Sequence, residues 1–481
     1  MFGKIRNASP QMLFIIIGLI YGLCFLVTVP PFQVADEPLH FDKIFQVSDG
    51  KLIPEPNGGG YIPKSVDTTL NQFGTNFKYD HLVEDSSSSL GLPLNNNDRI
   101  TINGIIGYPP VPYMAAAFTV DIGKIFNSSP LLLMYLCRLA NLLVWLFLVY
   151  LTIKITPVHK WVFLLLGLMP MTILQAASLS ADSFTLGISF LVIAFFLKLA
   201  LDNKKKIITE KDIVILFTLT CLLSLSKQIY IVLTLLVFMI PSYKFRNKKK
   251  MFLTYFIVFF TALTILGSWS YLGAGVSTPN HMSADNRLVT GESYHIPDIA
   301  ENPVGFFQLL TNTFFSEKLY TIGFVGTVGG FATPTRLSYL YILILILIAL
   351  MDKKEGLKVS LKDKTIMLAP LVLVLGGIIY VSYLSWTPFG NGILKGIQGR
   401  YFIPVAPLLF LLFYNTKKRI SIRGKGLEFK KTKNFNSILT IFIVVFLAMT
   451  LIMIVRVYYS SYLLPYIPLL GILQKSWISA Y

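Results

Sequence analysis

The sequence predicts an all-α polytopic membrane protein: a single transmembrane domain, 1–481, of about eleven transmembrane helices, with a large first extracellular loop bearing juxtamembrane helices. Three observations predict it. Hydrophobic residues make up 54% of the chain and the mean hydropathy is +0.65. The charged residues, 14% of the total, gather between apolar runs of about 20 residues, the length a helix needs to cross a bilayer. Most basic residues sit in the short linkers between those runs, the pattern that orients a membrane protein. The net charge of +18 is therefore no nucleic-acid footprint, and no nucleic-acid partner is expected. Cys24, Cys137 and Cys221 all lie inside apolar runs, which excludes a disulfide framework or a cysteine zinc site. Neither an internal repeat nor a soluble catalytic domain is visible. Any chemistry must use loops and helix ends at the membrane surface.

Lys4 and Arg6 precede the first apolar run, 11–30, and place the N-terminus in the cytoplasm. That run lacks a small-residue cleavage site and reads as a retained span. It is followed directly by Val34-Ala35-Asp36-Glu37-Pro38-Leu39-His40-Phe41. Two acids before a proline predict the start of a helix, with the acids at its positive end and Pro38 in its first turn. An amphipathic run, 39–47, leads to Gly50 as a stop. Asp36 and His40, four apart, share a face if the helix starts early enough. The plain alternative for Asp36 is a helix N-cap.

Residues 31–107 are expected outside, and Tyr108-Pro109-Pro110-Val111-Pro112-Tyr113 opens an apolar helix reaching Phe126. Charge decides whether that helix crosses. Basic clusters occur at 204–211, 244–250, 353–364 and 417–433, all expected in the cytoplasm. Spans at 131–153, 160–180, 183–201, 210–225, 228–243, 251–272, 337–351, 365–385, 401–415 and 435–458 put every cluster inside. This holds only if 109–126 lies along the outer surface or re-enters, which makes 31–130 the first outer loop and 273–336 the second. It also requires a break near 224–227, with Lys227 at the outer surface. The localisation expected is a multi-pass cell-membrane protein with its site on the extracellular face.

With this topology the unusual polar stretches converge on one face. They are Asp36, Glu37 and His40; Tyr108; Gln175 through Asp182; Lys227 and Tyr230; and Gln398-Gly399-Arg400-Tyr401-Phe402. Each has a plainer reading beside the functional one. Asp182 suits an N-cap of the following span. Lys227 suits a snorkelling lysine. Arg400 is harder to dismiss, because a cation just before a helix N-terminus is disfavoured by the dipole unless an anion binds between them. Arg138 lies within an apolar span, where an ionisable group needs a partner: an outer-face carboxylate or a lipid phosphate. His281 and His295 match no metal spacing and read as solvated. Carboxylates at one end and cations at the other suit a lipid-phosphate substrate, with a carboxylate to deprotonate a hydroxyl acceptor.

Taken together, these stretches resemble the DUF2142 family of predicted bacterial membrane proteins, regarded as related to the GT-C glycosyltransferases. The pieces that carry the resemblance run from Asp36-Glu37-Pro38-Leu39-His40-Phe41 and Tyr108-Pro109-Pro110-Val111-Pro112-Tyr113 to Arg138-Leu139-Ala140-Asn141. They continue through 170–182 and Lys227-Gln228-Ile229-Tyr230 to Gln398-Gly399-Arg400-Tyr401-Phe402-Ile403-Pro404. The resemblance implies a GT-C-like architecture and an integral-membrane glycosyltransferase. Such an enzyme moves a sugar, with inversion, from a polyprenyl-phosphate carrier to an extracellular cell-surface glycan or teichoic-acid-like acceptor. It implies a catalytic acid in the first outer loop, where Asp36 matches, with Glu37 and His40 beside it. By charge and side, Arg138, Lys227 and Arg400 are expected to bind the donor phosphate. Tyr108, Gln175, Asp182, Tyr230, Gln398 and Tyr401 are expected to line the substrate. No metal or other cofactor is expected, since no outer Asp-x-Asp is present, although some GT-C oligosaccharyltransferases bind a divalent cation through several acids. The alternatives are a transporter or flippase of lipid-linked sugars, or a GT-C-type glycan polymerase or ligase. Transport favours ionisable groups near the midplane and repeat-related broken helices, which the sequence lacks.

Overall fold

The computed structural model describes residues 8–53, 59–73, 82–102, 107–273, 294–316, 323–328, 331–332, 335–352, 356–414, 420–422, 425–427 and 435–463. His281, residues 417–419 and 428–433 of the basic run expected in the cytoplasm, and most of the 273–291 segment lie outside the described residues. The architecture is helical, with three two-stranded antiparallel sheets besides among the described residues.

Among the described residues six helices are long and apolar enough to cross a bilayer: α1 (Pro10–Thr28), α6 (Pro130–Ile155), α9 (Ala181–Leu201), α11 (Lys248–Gly273), α15 (Leu361–Val381) and α17 (Phe435–Leu463). The other five segments expected to span form shorter helical pieces. Residues 160–180 form two helices, α7 (Lys160–Gly167) and α8 (Pro170–Ala176). Pro170 lacks an N–H and bars the helical conformation to Met169, which is extended, so one continuous span cannot form. α10 (Glu210–Ser224) ends where the polar interruption required it, and Gln228–Met239 follows as a 3-10 helix. At about 2.0 Å rise per residue its 12 residues reach about 24 Å, against about 18 Å for an α-helix. α14 (Thr335–Met351) and the 3-10 turn Gly399–Val405 continued by α16 (Ala406–Leu412) complete the set.

α6 is the hub, packed most extensively on α9 and α1. On α1, Gly18 and Gly22 stand one turn apart against α6. A Cβ at Gly22 would lie 2.6 Å from Leu142, and one at Gly18 2.9 Å from Leu146. Small residues at this spacing let two apolar helices approach, the usual device where water supplies no drive between them.

Residues 31–130, the expected first outer loop, have a core separate from that of the long helices. α2 (Glu37–Ser48) lies against α5 (Met114–Ile125), and β1 (Gly60–Pro63) pairs antiparallel with β2 (Arg99–Ile102). α3 (Lys64–Phe73) and α4 (Leu82–Gly91) lie between the strands in the chain. Gly50, at φ +76°, ends α2 as a glycine in the left-handed region does. Asp49 then anchors that end to β2 through Arg99 and to α5 through Lys124, 2.8 Å away. α5 is only 12 residues long and exposes Met114, Phe118, Ile122 and Ile125 in one stripe. That is the form of a helix lying in an interface, too short to cross a bilayer.

At the opposite end of the bundle, basic residues close helix ends. Lys244 Nζ donates to the carbonyls of Leu199, Ala200 and Asp202 at the C-terminus of α9. Lys364 Nζ does the same for Leu412 at 2.7 Å. α9 has 21 residues and is about 30 Å long, so Asp182 in its first turn and Lys244 at its end lie at opposite faces.

Candidate functional site

The site assembles where four chain breaks meet: the entry to α2, the turn before α9, the start of the 3-10 helix Gln228–Met239, and the start of the 3-10 turn Gly399–Val405. Breaks of this kind free side chains from the regular helix surface and aim several at one point.

Asp36 occupies the N-cap position of α2 but makes no cap hydrogen bond with its side chain. Its backbone is left-handed, φ 66° and ψ 6°, a region that Asp enters more readily than most residues and that is enriched at functional sites. The carboxylate is 51% exposed and accepts a hydrogen bond from Arg400 Nη2 at 3.0 Å. The capping alternative is thereby set aside.

Arg400 is buried. Its Nη1 donates to Gln175 Oε1 at 3.3 Å, and its Nε lies 3.8 Å from Asp182 Oδ2. That last separation is an ion pair too long for a hydrogen bond, and neither Arg400 Nε nor Asp182 Oδ2 has a hydrogen-bond partner among the described residues. Two buried, opposite, unsatisfied groups facing one another mark a place that a polar ligand can complete.

Asp182 is not the N-cap of α9 either. Ser180 is, and its hydroxyl accepts the Asp182 N–H at 3.0 Å. The Asp182 carboxylate pairs instead with Lys227 Nζ at 2.5 Å. Lys227 is 12% exposed and does not snorkel. Its ammonium lies 5.2 Å from the Tyr108 ring centroid and 5.5 Å from that of Tyr401, so two aromatic faces and one carboxylate enclose it. Arg400 also lies over Tyr401, at 5.5 Å.

His40 stacks on Tyr108 and shares a 2.8 Å hydrogen bond between its Nδ1 and the Tyr113 hydroxyl. Burial pushes its pKa down to about 4, outweighing the pull of Asp36 in the other direction. The imidazole is neutral at physiological pH. Tyr230, also expected at the substrate, stands one step behind: its buried hydroxyl donates to the Tyr401 carbonyl at 2.8 Å and fixes that turn. Gln398 is exposed and serves as the N-cap of the same turn, its carbonyl accepting the Tyr401 N–H.

Glu37 and Arg138 take a different role from the one expected of them. Their side chains are 0% exposed and paired with each other: Arg138 Nε to Glu37 Oε1 at 2.8 Å, Nη2 to Oε2 at 2.6 Å. Arg138 also donates to the carbonyls of Leu26, Val29 and Pro30, and Glu37 Oε1 accepts the Leu179 N–H at 3.0 Å. All five guanidinium N–H groups are thus engaged. The pair clamps the end of α1, the start of α2, α6 and the turn before α9. Of the two partners left open for Arg138, the carboxylate is the one found. Arg138 has no N–H left for the phosphate expected there, and the Glu37 carboxylate has no exposed surface. Tyr113 and Ser180, not singled out beforehand, carry out local positioning. Among the described residues no group of three or more His, Cys, Asp or Glu side chains is placed to hold a metal ion.

The model of the DUF2142 family of predicted membrane proteins matches residues 19–409. The chain belongs to that family. The matched region contains every residue of the site, from Asp36 to Tyr401, and the whole of the Glu37–Arg138 clamp. No curated protein and no solved structure matches this DUF2142 protein. Its chemistry must therefore be argued from the site itself.

Proposed function

We propose that this protein is an integral-membrane glycosyltransferase that moves a sugar from a polyprenyl-phosphate carrier to an extracellular glycan acceptor. The observation that carries the reading is the half-exposed carboxylate of Asp36, held by Arg400 beside the caged Lys227. A carboxylate within reach of two buried cations is the minimal equipment for displacing a phosphate leaving group by a hydroxyl.

The donor phosphate takes Arg400 and Lys227, completing the gap beside Arg400 Nε. Asp36, released from Arg400, accepts the proton of the acceptor hydroxyl. The acceptor oxygen forms its bond to the anomeric carbon as the bond from that carbon to the phosphate oxygen breaks, so the configuration inverts. The electron pair leaves on the polyprenyl phosphate, whose added charge the two cations stabilise. Asp182 and Gln175 hold the cations in place, and Tyr108 and Tyr401 wall the sugar site. Neutral His40 braces Tyr108 and supplies no charge. α5 and the long apolar helices keep the carrier's chain in the bilayer while its head group reaches the site.

The test is transfer from polyprenyl-phosphate sugars by the purified protein, wild type beside Asp36→Asn. Loss of transfer with donor binding retained supports the enzyme and its base. Donor binding with no transfer by the wild type to any glycan acceptor would replace this reading with transport of lipid-linked sugars.

A further inference from the structure

A second polar and aromatic cluster, absent from the site above, lies between α12 (Ile296–Glu301), α13 (Pro303–Ser316) and the loop that follows α15. Tyr294 stacks on Tyr383 with centroids 4.6 Å apart, Phe389 stands 5.0 Å from Tyr294, and Phe306 meets Tyr383 edge-on at 5.2 Å. These rings line a groove of about 360 Å³, the lower part of the range for small-molecule sites. The polar side of the groove is built from Asp298, Glu301, Gln308 and Asn312; among the described residues it is lined by no lysine or arginine.

The loop wall is held in place. The Tyr294 hydroxyl accepts the Gly390 N–H at 3.0 Å and donates to the Asn391 carbonyl at 3.3 Å. Leu394 N donates to Thr313 Oγ1 and Lys395 N to Thr387 Oγ1, at 2.8 and 3.0 Å. The same loop runs on into Gly399 and Arg400, so the groove wall and the phosphate-facing arginine belong to one connected segment. Phe389, by contrast, is 60% exposed at the rim, with its ring against Tyr294.

We propose that this groove binds a saccharide unit of the acceptor glycan, neutral or amine-bearing. Aromatic rings present flat apolar faces that match the C–H face of a pyranose, and carboxylate and amide groups match its hydroxyls. Two carboxylates, with no lysine or arginine lining the groove among the described residues, repel an acidic sugar and favour an amine. An apolar ligand would instead leave these polar groups desolvated. The role as acceptor site rests on the transfer reading above; saccharide binding itself does not.

The test uses the full-length protein in lipid nanodiscs with no donor present. Soluble pentasaccharides of neutral-hexose, amino-hexose and uronic-acid units are titrated by calorimetry. Neutral or amino pentasaccharides bind and uronic-acid ones do not. Phe389→Ala, at an exposed position that leaves folding intact, weakens binding about tenfold. Glu301→Gln selectively weakens the amino-hexose series. Absence of binding across the panel, preference for uronic acids, or unchanged affinity in Phe389→Ala overturns the proposal. Since no donor is present, a failure here leaves the Asp36 chemistry standing, and active Asp36→Asn protein leaves the groove standing.

Discussion

Replacing Glu37 with Gln isolates the clamp from the chemistry. The substitution keeps the side chain's size and one acceptor but removes the charge that faces Arg138 at 2.6 and 2.8 Å with neither group exposed. The guanidinium then keeps the carbonyls of Leu26, Val29 and Pro30 and the one amide oxygen as acceptors, with an NH₂ group in place of the second carboxylate oxygen. Breaking one partner of a fully buried ion pair leaves an uncompensated charge and costs about 3–5 kcal/mol. Loss of the second oxygen as an acceptor is already contained in that range. Glu37→Leu combined with Arg138→Met removes both charges and leaves three carbonyls and the Leu179 N–H underserved, at about 1 kcal/mol each, so the double variant is less unstable than the two single losses added together. The assay is equilibrium unfolding in mixed micelles, followed by tryptophan fluorescence, with transfer measured per folded molecule. A loss of several kcal/mol with near-normal transfer by the surviving folded fraction supports the clamp. Stability within about 0.5 kcal/mol of wild type, together with abolished transfer, would refute it and return Glu37 to the chemistry.

Asp36→Asn is expected to do the reverse. Asn tolerates the left-handed backbone, the side chain is 51% exposed, and unfolding should move by less than about 1 kcal/mol while transfer disappears. Arg400→Ala should weaken donor binding about 10- to 100-fold, the worth of a hydrogen bond to a charged group, and unchanged donor affinity removes it from the site. The folded state holds His40 at about 4 while the unfolded chain protonates it near the ordinary value, so unfolding gains a proton as pH falls from about 6.5 to 4. Stability should drop by up to about 3 kcal/mol over that window, and His40→Gln should flatten the difference when thermal midpoints are compared across pH. Gly22→Leu should cost about 1–3 kcal/mol by driving α1 from Leu142, measured in the same unfolding assay.

Particular residues show how far the chain could be read without its fold. The break before Lys227 was legible because one unbroken helix over 210–243 would carry the basic cluster 244–250 to the outer side. The break at Pro170 was legible in principle, since proline bars a helical residue before it, yet hydropathy averaged over 160–180 hides it. The gathering of Asp36, Asp182, Lys227 and Arg400 followed from charge bookkeeping along the spans. Their pairing did not. Ser180 took the cap that Asp182 was expected to make, and Lys227 found that same Asp182 instead of water.

By itself the sequence determined a helical membrane protein, the shorter apolar segments around its charged linkers, and the face on which its polar motifs collect. These follow from one-dimensional physics: a bilayer demands apolar length, and lysines stay out of it. Only the tertiary structure separated Asp36 from Glu37. They are adjacent and equally charged, but Asp36 is the left-handed residue before α2 and Glu37 its first helical residue, so their side chains leave the backbone in different directions. One direction carries Glu37 inward to Arg138, where burial commits it to holding three helices and a turn together. The other leaves Asp36 at the surface beside Arg400, where a carboxylate can both be reached and be released.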